Sequence, residues 1–208
     1  KPEGNWEKKI ILSEIKTPPE SIVVELKKLR EKKIKPFFDN KTQLDLNCIW
    51  ISALVAAEQV LPNNNFLSEA EIYYDNLEKI FFNKEKLQHT MLKPEVFLED
   101  YAYSIAMLLD LSAQTLKPNY LFKAKELCKK AVELFYIKEK SIFQKNLIST
   151  NDLFHKPIDI TDGNIPNGNS IMLLNFSRLK MKNEAKELSD SLNGYLNLYK
   201  PLMVSSLK

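Results

Sequence analysis

The sequence predicts an all-α fold, a partial α/α toroid of about three helical hairpins preceded by a lead-in helix. Two observations support this prediction. Apolar residues recur at helical spacing in nearly every long segment of the chain. These segments also come in pairs: the first member is apolar almost all round and must be enclosed, and the second has one polar side that faces water. The pair occurs three times along the 208 residues.

Each predicted helix follows from its own pattern. The lead-in helix is predicted in "SIVVELKKLREKK", residues 21–33, because apolar residues form a stripe there and the preceding "TPPE" suits a helix start. The three pairs of enclosed and amphipathic helices are 44–61 with 66–82, 96–113 with 120–136, and 170–179 with 184–200. Residues 140–169 form a long connecting loop, in which "SIFQKNLI" is expected to form a short β-hairpin or extended pair. Long connections often carry function.

The spacing of the pairs distinguishes a toroid from a superhelical array of repeats. The enclosed helices begin near 44, 96 and 170, so the periods are about 52 and 74 residues, and the tetratricopeptide signature is absent. These unequal periods favour the toroid. Three hairpins form only an arc, and we expect residues 1–208 to be a single domain or a fragment of one. The exposed apolar flanks of such an arc predict a homo-oligomer, or a further segment of the same chain that covers them.

Composition excludes several classes of function. The 30 basic and 27 acidic residues leave a net charge of +3, and all the basic residues except Arg30 and Arg178 are lysines, so no nucleic-acid partner is predicted. No apolar run reaches the roughly 18 residues of a membrane span, and no export signal is visible, so we expect no membrane partner and a cytoplasmic location. Cys48 and Cys128 are expected to be buried and unpaired. His89 and His155 lack metal-ligand spacing, and neither a metal site nor a cofactor is predicted.

Polar residues precede each enclosed helix, in "DNKTQLDLN", "FLEDYA" and "DGNIPNGNS". If the three helices run parallel, these stretches meet at one mouth. Carboxylates, amides and a phenol gathered there suit a polyhydroxylated ligand, because they donate to and accept from hydroxyl groups, and paired acids can carry glycoside chemistry. The candidate catalytic residues are Glu99, Asp100 and Asp162, and the candidate ligand-binding residues are Asp39, Lys41, Asn47, Tyr101 and Asn169.

Structural roles remain open for the same residues. Glu99 and Asp100 lie in the first turn of a predicted helix, where a carboxylate interacts favourably with the helix dipole. Asn169 or Ser170 can cap the third enclosed helix, and Gly163 and Gly168 permit a positive φ or a close backbone approach.

Four segments in the same order resemble a known family. "PEGNWEKKIIL" (2–12), "KPFFDNK" (35–41), "FLEDYA" (97–102) and "DGNIPNGNS" (162–170) resemble the thioredoxin-domain-containing family related to spermatogenesis-associated protein 20. The resemblance implies a six-hairpin, glycosidase-like α/α barrel similar to that of N-acylglucosamine epimerases, of which this chain is the middle part. It also implies a thioredoxin-like domain that this segment lacks, and hence a thioredoxin-like partner domain.

The chain departs from the family pattern at two places. Where the family reads roughly Asp-Asp-Lys, this chain has Asp39, Asn40 and Lys41, and the family's Trp-Asn-Gly is replaced by residues 46–48, Leu-Asn-Cys. The lost indole removes a natural stacking platform for a sugar. Trp50, one helical turn further on, is an alternative platform, but it is expected to pack in the core. Two functions are therefore predicted: a noncatalytic carbohydrate- or metabolite-binding scaffold, or a sugar hydrolase or epimerase that uses carboxylates at the mouth.

Overall fold

The computed structural model describes residues 7, 16–62, 64–82, 87–91, 95–147 and 157–199. The chain divides into two compact units, Lys1–Asn40 and Lys41–Lys208. In the first unit, α1 (Glu20–Glu31) follows Pro18 and Pro19, and none of its residues is buried. The predicted lead-in helix is therefore present, with its apolar stripe exposed.

The described part of the second unit contains three helical hairpins. Their members are α2 (Leu44–Val60) with α3 (Phe66–Phe81), α4 (Leu98–Thr115) with α5 (Pro118–Phe135), and α6 (Gly168–Arg178) with α7 (Lys182–Tyr199). Helix α4 packs against both α2 and α6, so the first helices of the three hairpins form an inner layer. Helices α3, α5 and α7 each pack on their own inner helix. This arrangement confirms the predicted class, an all-α partial toroid.

Burial follows the predicted alternation. The central inner helix α4 buries 11 of its 18 residues, which an amphipathic surface helix does not do. Its outer neighbour α5 buries one stripe, which consists of Tyr120, Ala124, Leu127, Cys128, Ala131 and Phe135. Proline at the first position of α5 removes a backbone N–H that has no partner inside the helix.

A short β-hairpin follows α5. Strands β1 (Tyr136–Ile137) and β2 (Ile142–Phe143) pair antiparallel around a 3-10 turn, Lys138–Lys140. The hairpin predicted within 141–148 is therefore misplaced, because its first strand lies in a stretch assigned partly to the end of the preceding helix. Both residues of β2 are buried, which fixes the start of the connecting segment against the helices.

The two cysteines are unpaired and buried, as predicted: Cys48 is 0% exposed and Cys128 is 1% exposed. Within the part of the chain that the structure describes, no helix has both the length and the apolar character needed to span a membrane.

One face of α2 is apolar and exposed. Leu46 is 46%, Trp50 52% and Val60 77% exposed, and Ala53 and Ala57 continue the same stripe along the helix. The spacing of three and four residues places all five side chains on one side of α2, away from α3 and α4. The exposed apolar flank expected of an open arc is thus present on α2. The prediction that Trp50 packs in the core is wrong.

Candidate functional site

The leading ends of the three inner helices line one cavity of about 500 Å³. Gln43 and Asp45 come from the start of α2, Phe97 and Glu99 from the start of α4, and Asn167 from the start of α6. The inner helices therefore run parallel and their polar ends meet, as the sequence predicted.

The two connecting segments are fixed to the first amides of the inner helices. The first N–H groups of a helix have no partner inside it, and an outside acceptor must satisfy them. The N–H of Leu44 donates to the carbonyl of His89 at 3.0 Å, and the N–H of Leu98 donates to the carbonyl of Lys145 at 2.9 Å. The side chains of His89 and Lys145 both line the cavity. Satisfying the helix ends thus positions two ionisable groups.

His89, in the cavity wall, is paired with Asp100 behind it. His89 Nδ1 lies 2.8 Å from Asp100 Oδ1, and Asp100 is fully buried. The second oxygen of Asp100 accepts the N–H of Phe97 at 2.8 Å, which holds the carboxylate over the first turn of α4. The ring of Phe97 packs edge-on against the imidazole, with ring centroids 4.9 Å apart. The imidazole is therefore fixed from two sides.

The second nitrogen of His89, Nε2, contacts another residue of the cavity wall. It lies 3.0 Å from Gln43 Nε2, which donates to the lone pair of a neutral imidazole whose Nδ1–H points at Asp100. The hydrogen bond that His89 donates to Asp100 raises the pKa of His89, and burial opposes this effect. Burial in turn raises the pKa of Asp100, while the bond to His89 lowers it. A raised pKa favours the protonated imidazole, the form that can give up a proton.

Asp45 lies beside this pair. It is 7% exposed, and its Oδ1 accepts the N–H of Leu46 at 2.8 Å. Donor atoms of Asp45, His89 and Asp100 lie within 4.8 Å of one another, close enough to surround a metal ion. His89 Nδ1 and Asp100 Oδ1 bond to each other, however, so an ion between these two atoms would have to break that bond.

Glu99 lies in the first turn of α4, and it also lines the cavity. Its Oε2 is buried without a hydrogen-bond partner among the described residues, and burial raises the pKa of the side chain. A Cβ added to Gly168 would lie 2.9 Å from Leu98 Cγ and 3.3 Å from Glu99 Oε1. Glycine at 168 is needed for this close approach of α6 to α4, and not for a positive φ.

Lys145 and Asp159 face each other across the cavity rim. Lys145 Nζ donates to Asp159 Oδ2 at 2.7 Å, which raises the pKa of the lysine. Both side chains are about 40% exposed, so solvent screens the pair.

The loop before α6 uses most of its polar groups on itself. Asp162 Oδ1 accepts both the backbone N–H and the side-chain amide of Asn167 at 3.0 Å. Asn167 caps α6, because its Oδ1 accepts the N–H of Ser170 at 3.0 Å. The prediction of Asn169 or Ser170 as the cap is wrong. A Cβ on Gly163 would meet no atom within 4 Å, so close approach does not explain that glycine.

Asn169 is fully buried and holds the loop to β2. Its Oδ1 accepts the N–H of Phe143 at 2.9 Å, and its Nδ2 donates to the carbonyls of Phe143 at 3.0 Å and Asp159 at 2.9 Å. Its amide is thus committed to backbone groups and does not line the cavity.

The other predicted ligand-binding residues lie outside the cavity wall. Tyr101 is fully buried and its hydroxyl accepts the N–H of Leu87 at 3.4 Å. Asn47 donates its side-chain amide to the carbonyl of Gln43 at 2.7 Å. Lys41 is exposed in the second unit, and Asp39 is exposed in the first. Of the eight predicted site residues, Glu99 and Asp162 line the cavity, and Asp100 reaches it through His89.

Sequence reasoning missed several polar lining residues, among them Gln43, Asp45, His89, Lys145 and Asp159. Gln43 and Asp45 lie within "DNKTQLDLN". Their positions next to the start of the helix are the sequence signal that could have identified them as lining residues. Lys145 and Asp159 belong to the long connection that was marked for function. His89 was interpreted as incidental, and its partner Asp100 is 11 positions away, a spacing that indicates no particular contact.

Solved structures with a similar fold support the architecture. Cellobiose 2-epimerase from Bacillus thermoamylovorans is 18% identical, with a TM-score of 0.58 over 83% of this chain and 55% of that chain. A sugar epimerase from a ruminal bacterium is 9% identical, with a TM-score of 0.56 over 74% and 43%. A glycosyl hydrolase of family 88 from Bacteroides vulgatus is 10% identical, with a TM-score of 0.54 over 86% and 54%.

The fold is that of part of an α/α barrel. This chain spans about half the length of the structures it matches. Neither a protein-family model nor a curated protein sequence matches it. At these identities the likeness establishes the fold, and the chemistry has to be argued from the cavity itself.

Proposed function

We propose that the cavity binds a sugar or a related polyhydroxylated molecule and transfers protons to and from it, as a hydrolase or an epimerase does. One observation carries the proposal: the His89 imidazole stands in the cavity wall with its Nδ1 held at 2.8 Å by the buried Asp100. A fixed imidazole that lines a cavity is an arrangement suited to general acid–base catalysis. The sugar epimerases and the glycosyl hydrolase of similar fold support a sugar as the ligand.

Two groups would share the proton transfers. His89 takes a proton at Nε2 when a bound hydroxyl or C–H displaces the amide of Gln43, and Asp100 stabilises the imidazolium that results. Asp100 is a positioning residue, because His89 and Phe97 occupy its oxygens and it does not line the cavity. Glu99 is the second group: burial raises its pKa, which favours the protonated form that a general acid needs.

A noncatalytic binding module is the second candidate. Of the three predicted catalytic acids, Asp162 holds the backbone of its own loop and Asp100 is closed off from the cavity. A cavity that binds a sugar without converting it needs only the remaining lining groups. The two candidates share the ligand and differ in turnover.

The test separates binding from turnover. The purified chain is incubated with cellobiose, N-acetylglucosamine and unsaturated uronyl disaccharides, and products are followed by NMR together with exchange of deuterium from solvent into the sugar. We expect product or exchange with the wild type, about 100-fold less with His89→Gln, and binding retained in both. Asp110→Asn is the matched control, since Asp110 lies on α4 and pairs with Arg178 outside the cavity. Binding without product or exchange in the wild type selects the noncatalytic candidate, and absence of binding by every sugar removes both.

Two partners are proposed as well. The exposed apolar stripe of α2 supports self-association, which is tested by light scattering of the wild type and of a Leu46→Ser, Trp50→Ser double variant. If the wild type is a stable monomer, a further segment of the same chain is instead favoured as the element that covers the α2 stripe. The thioredoxin-like partner domain implied by the family resemblance is tested by binding of such a domain to the chain.

A further inference from the structure

We infer further that the cavity selects sugars that carry a protonated amino group. This inference rests on the proposed sugar binding and adds the class of sugar. Four carboxyl groups line the cavity, those of Asp45, Glu99, Asp159 and Asp162, against a single lysine, Lys145.

Lys145 does not offer its positive charge to a ligand, so the excess of carboxyl groups remains. Lys145 already pairs with Asp159 at 2.7 Å, so an anionic sugar finds no uncommitted cation among the described lining residues. A protonated His89 adds a positive charge, but Asp100 lies against its Nδ1 at 2.8 Å and balances it. Asp45 and Glu99 both line the cavity, and neither forms a salt bridge with another described residue.

Asp45 provides the most specific contact point. It is 7% exposed, yet it lines the cavity, and only its Oδ1 accepts a hydrogen bond in the described part of the chain. Its second oxygen is left for a donor. A carboxylate that is nine-tenths buried with an unfilled acceptor favours a donor that also brings positive charge, because the desolvated ion is then both paired and hydrogen-bonded.

An ammonium group meets this requirement better than a hydroxyl group. It offers three donors and a full charge, whereas a hydroxyl offers one donor and no charge. N-acetylation removes the charge and leaves one N–H, so an acetylated sugar loses most of the advantage. A uronic acid brings a negative charge toward the Asp45 carboxylate and is disfavoured.

The experiment compares sugars that differ in one substituent. Dissociation constants are measured by calorimetry for glucose, glucosamine, N-acetylglucosamine and glucuronic acid, and for the β-1,4-linked dimers of the first three. We expect glucosamine or its dimer to bind about tenfold tighter than the glucose and N-acetyl counterparts, and glucuronic acid to bind most weakly. Asp45→Asn should abolish this preference while binding of the neutral sugar persists, and the matched control Asp110→Asn should keep it.

A second measurement covers the case in which Asp45→Asn does not fold. In the wild type, added salt and a pH above the amine's own pKa should weaken binding of the amino sugar and leave the neutral sugar unchanged. Equal binding of amino and neutral sugars overturns the inference and leaves the proposed sugar binding intact. Failure of every sugar in both series overturns the two together.

Discussion

The two sides of the cavity use the same residue types for different purposes. On the α6 side, Asp162, Asn167 and Asn169 use their polar atoms to bind backbone groups of the loop, the first turn of α6 and β2. On the α2 and α4 side, Asp45 and His89 both line the cavity, and a hydrogen bond reaches only one oxygen of Asp45 among the described residues. The first side sets the shape of the cavity, and the second offers the groups that can act on a ligand.

The difference arises from the segments that contact the start of each inner helix. The described residues before α6, 157–167, have no regular structure, and their buried backbone groups need side-chain partners. The segments beside α2 and α4 satisfy their helix ends with main-chain carbonyls of His89 and Lys145, which leaves the side chains available. Polar composition alone therefore does not identify the reactive side.

The largest expected effect lies on the structural side. Asn169→Ala removes three hydrogen bonds and leaves the N–H and C=O of Phe143 without their partner, so we expect the free energy of unfolding to fall by about 3 to 5 kcal/mol. Urea denaturation measures the loss. Asn193→Ala, at an exposed position of α7, is the control and should change stability by less than about 0.5 kcal/mol. A similar small change in both variants would contradict the structural role of Asn169.

The next effect lies on the reactive side. Asp100→Asn keeps the shape of the side chain but weakens its hold on the imidazole, so proton exchange with a sugar should fall by about 10-fold to 100-fold while sugar binding is retained. Rates of deuterium exchange at several pH values provide the readout, and the rate profile should shift to lower pH as His89 loses the carboxylate that raises its pKa. An unshifted profile would show that Asp100 acts only in folding.

These two sides were not equally visible in the sequence. The helices were predicted to within a few residues, since their apolar period is a local property. Asp162 and Glu99 were predicted as site residues because they lie near the starts of predicted helices. His89, Lys145 and Asp159 were missed, because tertiary contacts bring them to the cavity and no local spacing records those contacts. The cap of α6 moved from Asn169 to Asn167 because the buried Asn169 side chain serves β2 instead.

A smaller effect is the pH dependence that His89 gives to stability. Its pKa is raised in the folded protein above the ordinary 6.5, so the folded state binds the proton more tightly than the unfolded chain. The resulting stabilisation is complete below 6.5 and is lost as the pH rises through the raised pKa. Unfolding in urea at about pH 5.5 and pH 8.5 should therefore show a larger difference for the wild type than for His89→Gln. Equal differences would mean that Asp100 does not favour the imidazolium.

The smallest effect expected is a gain in stability from Glu99→Gln. Burial raises the pKa of Glu99, which means that the ionised carboxylate is less favourable in the folded protein than in the unfolded chain. The wild type therefore loses stability as the pH rises through that raised pKa, and the neutral glutamine does not. At neutral pH the variant should unfold at a slightly higher urea concentration and should have lost proton-transfer activity, whereas Glu126→Gln on the exposed side of α5 should change neither. A less stable Glu99→Gln variant would show that the carboxylate binds a donor in the folded protein, and would move Glu99 from the reactive side of the cavity to the structural one.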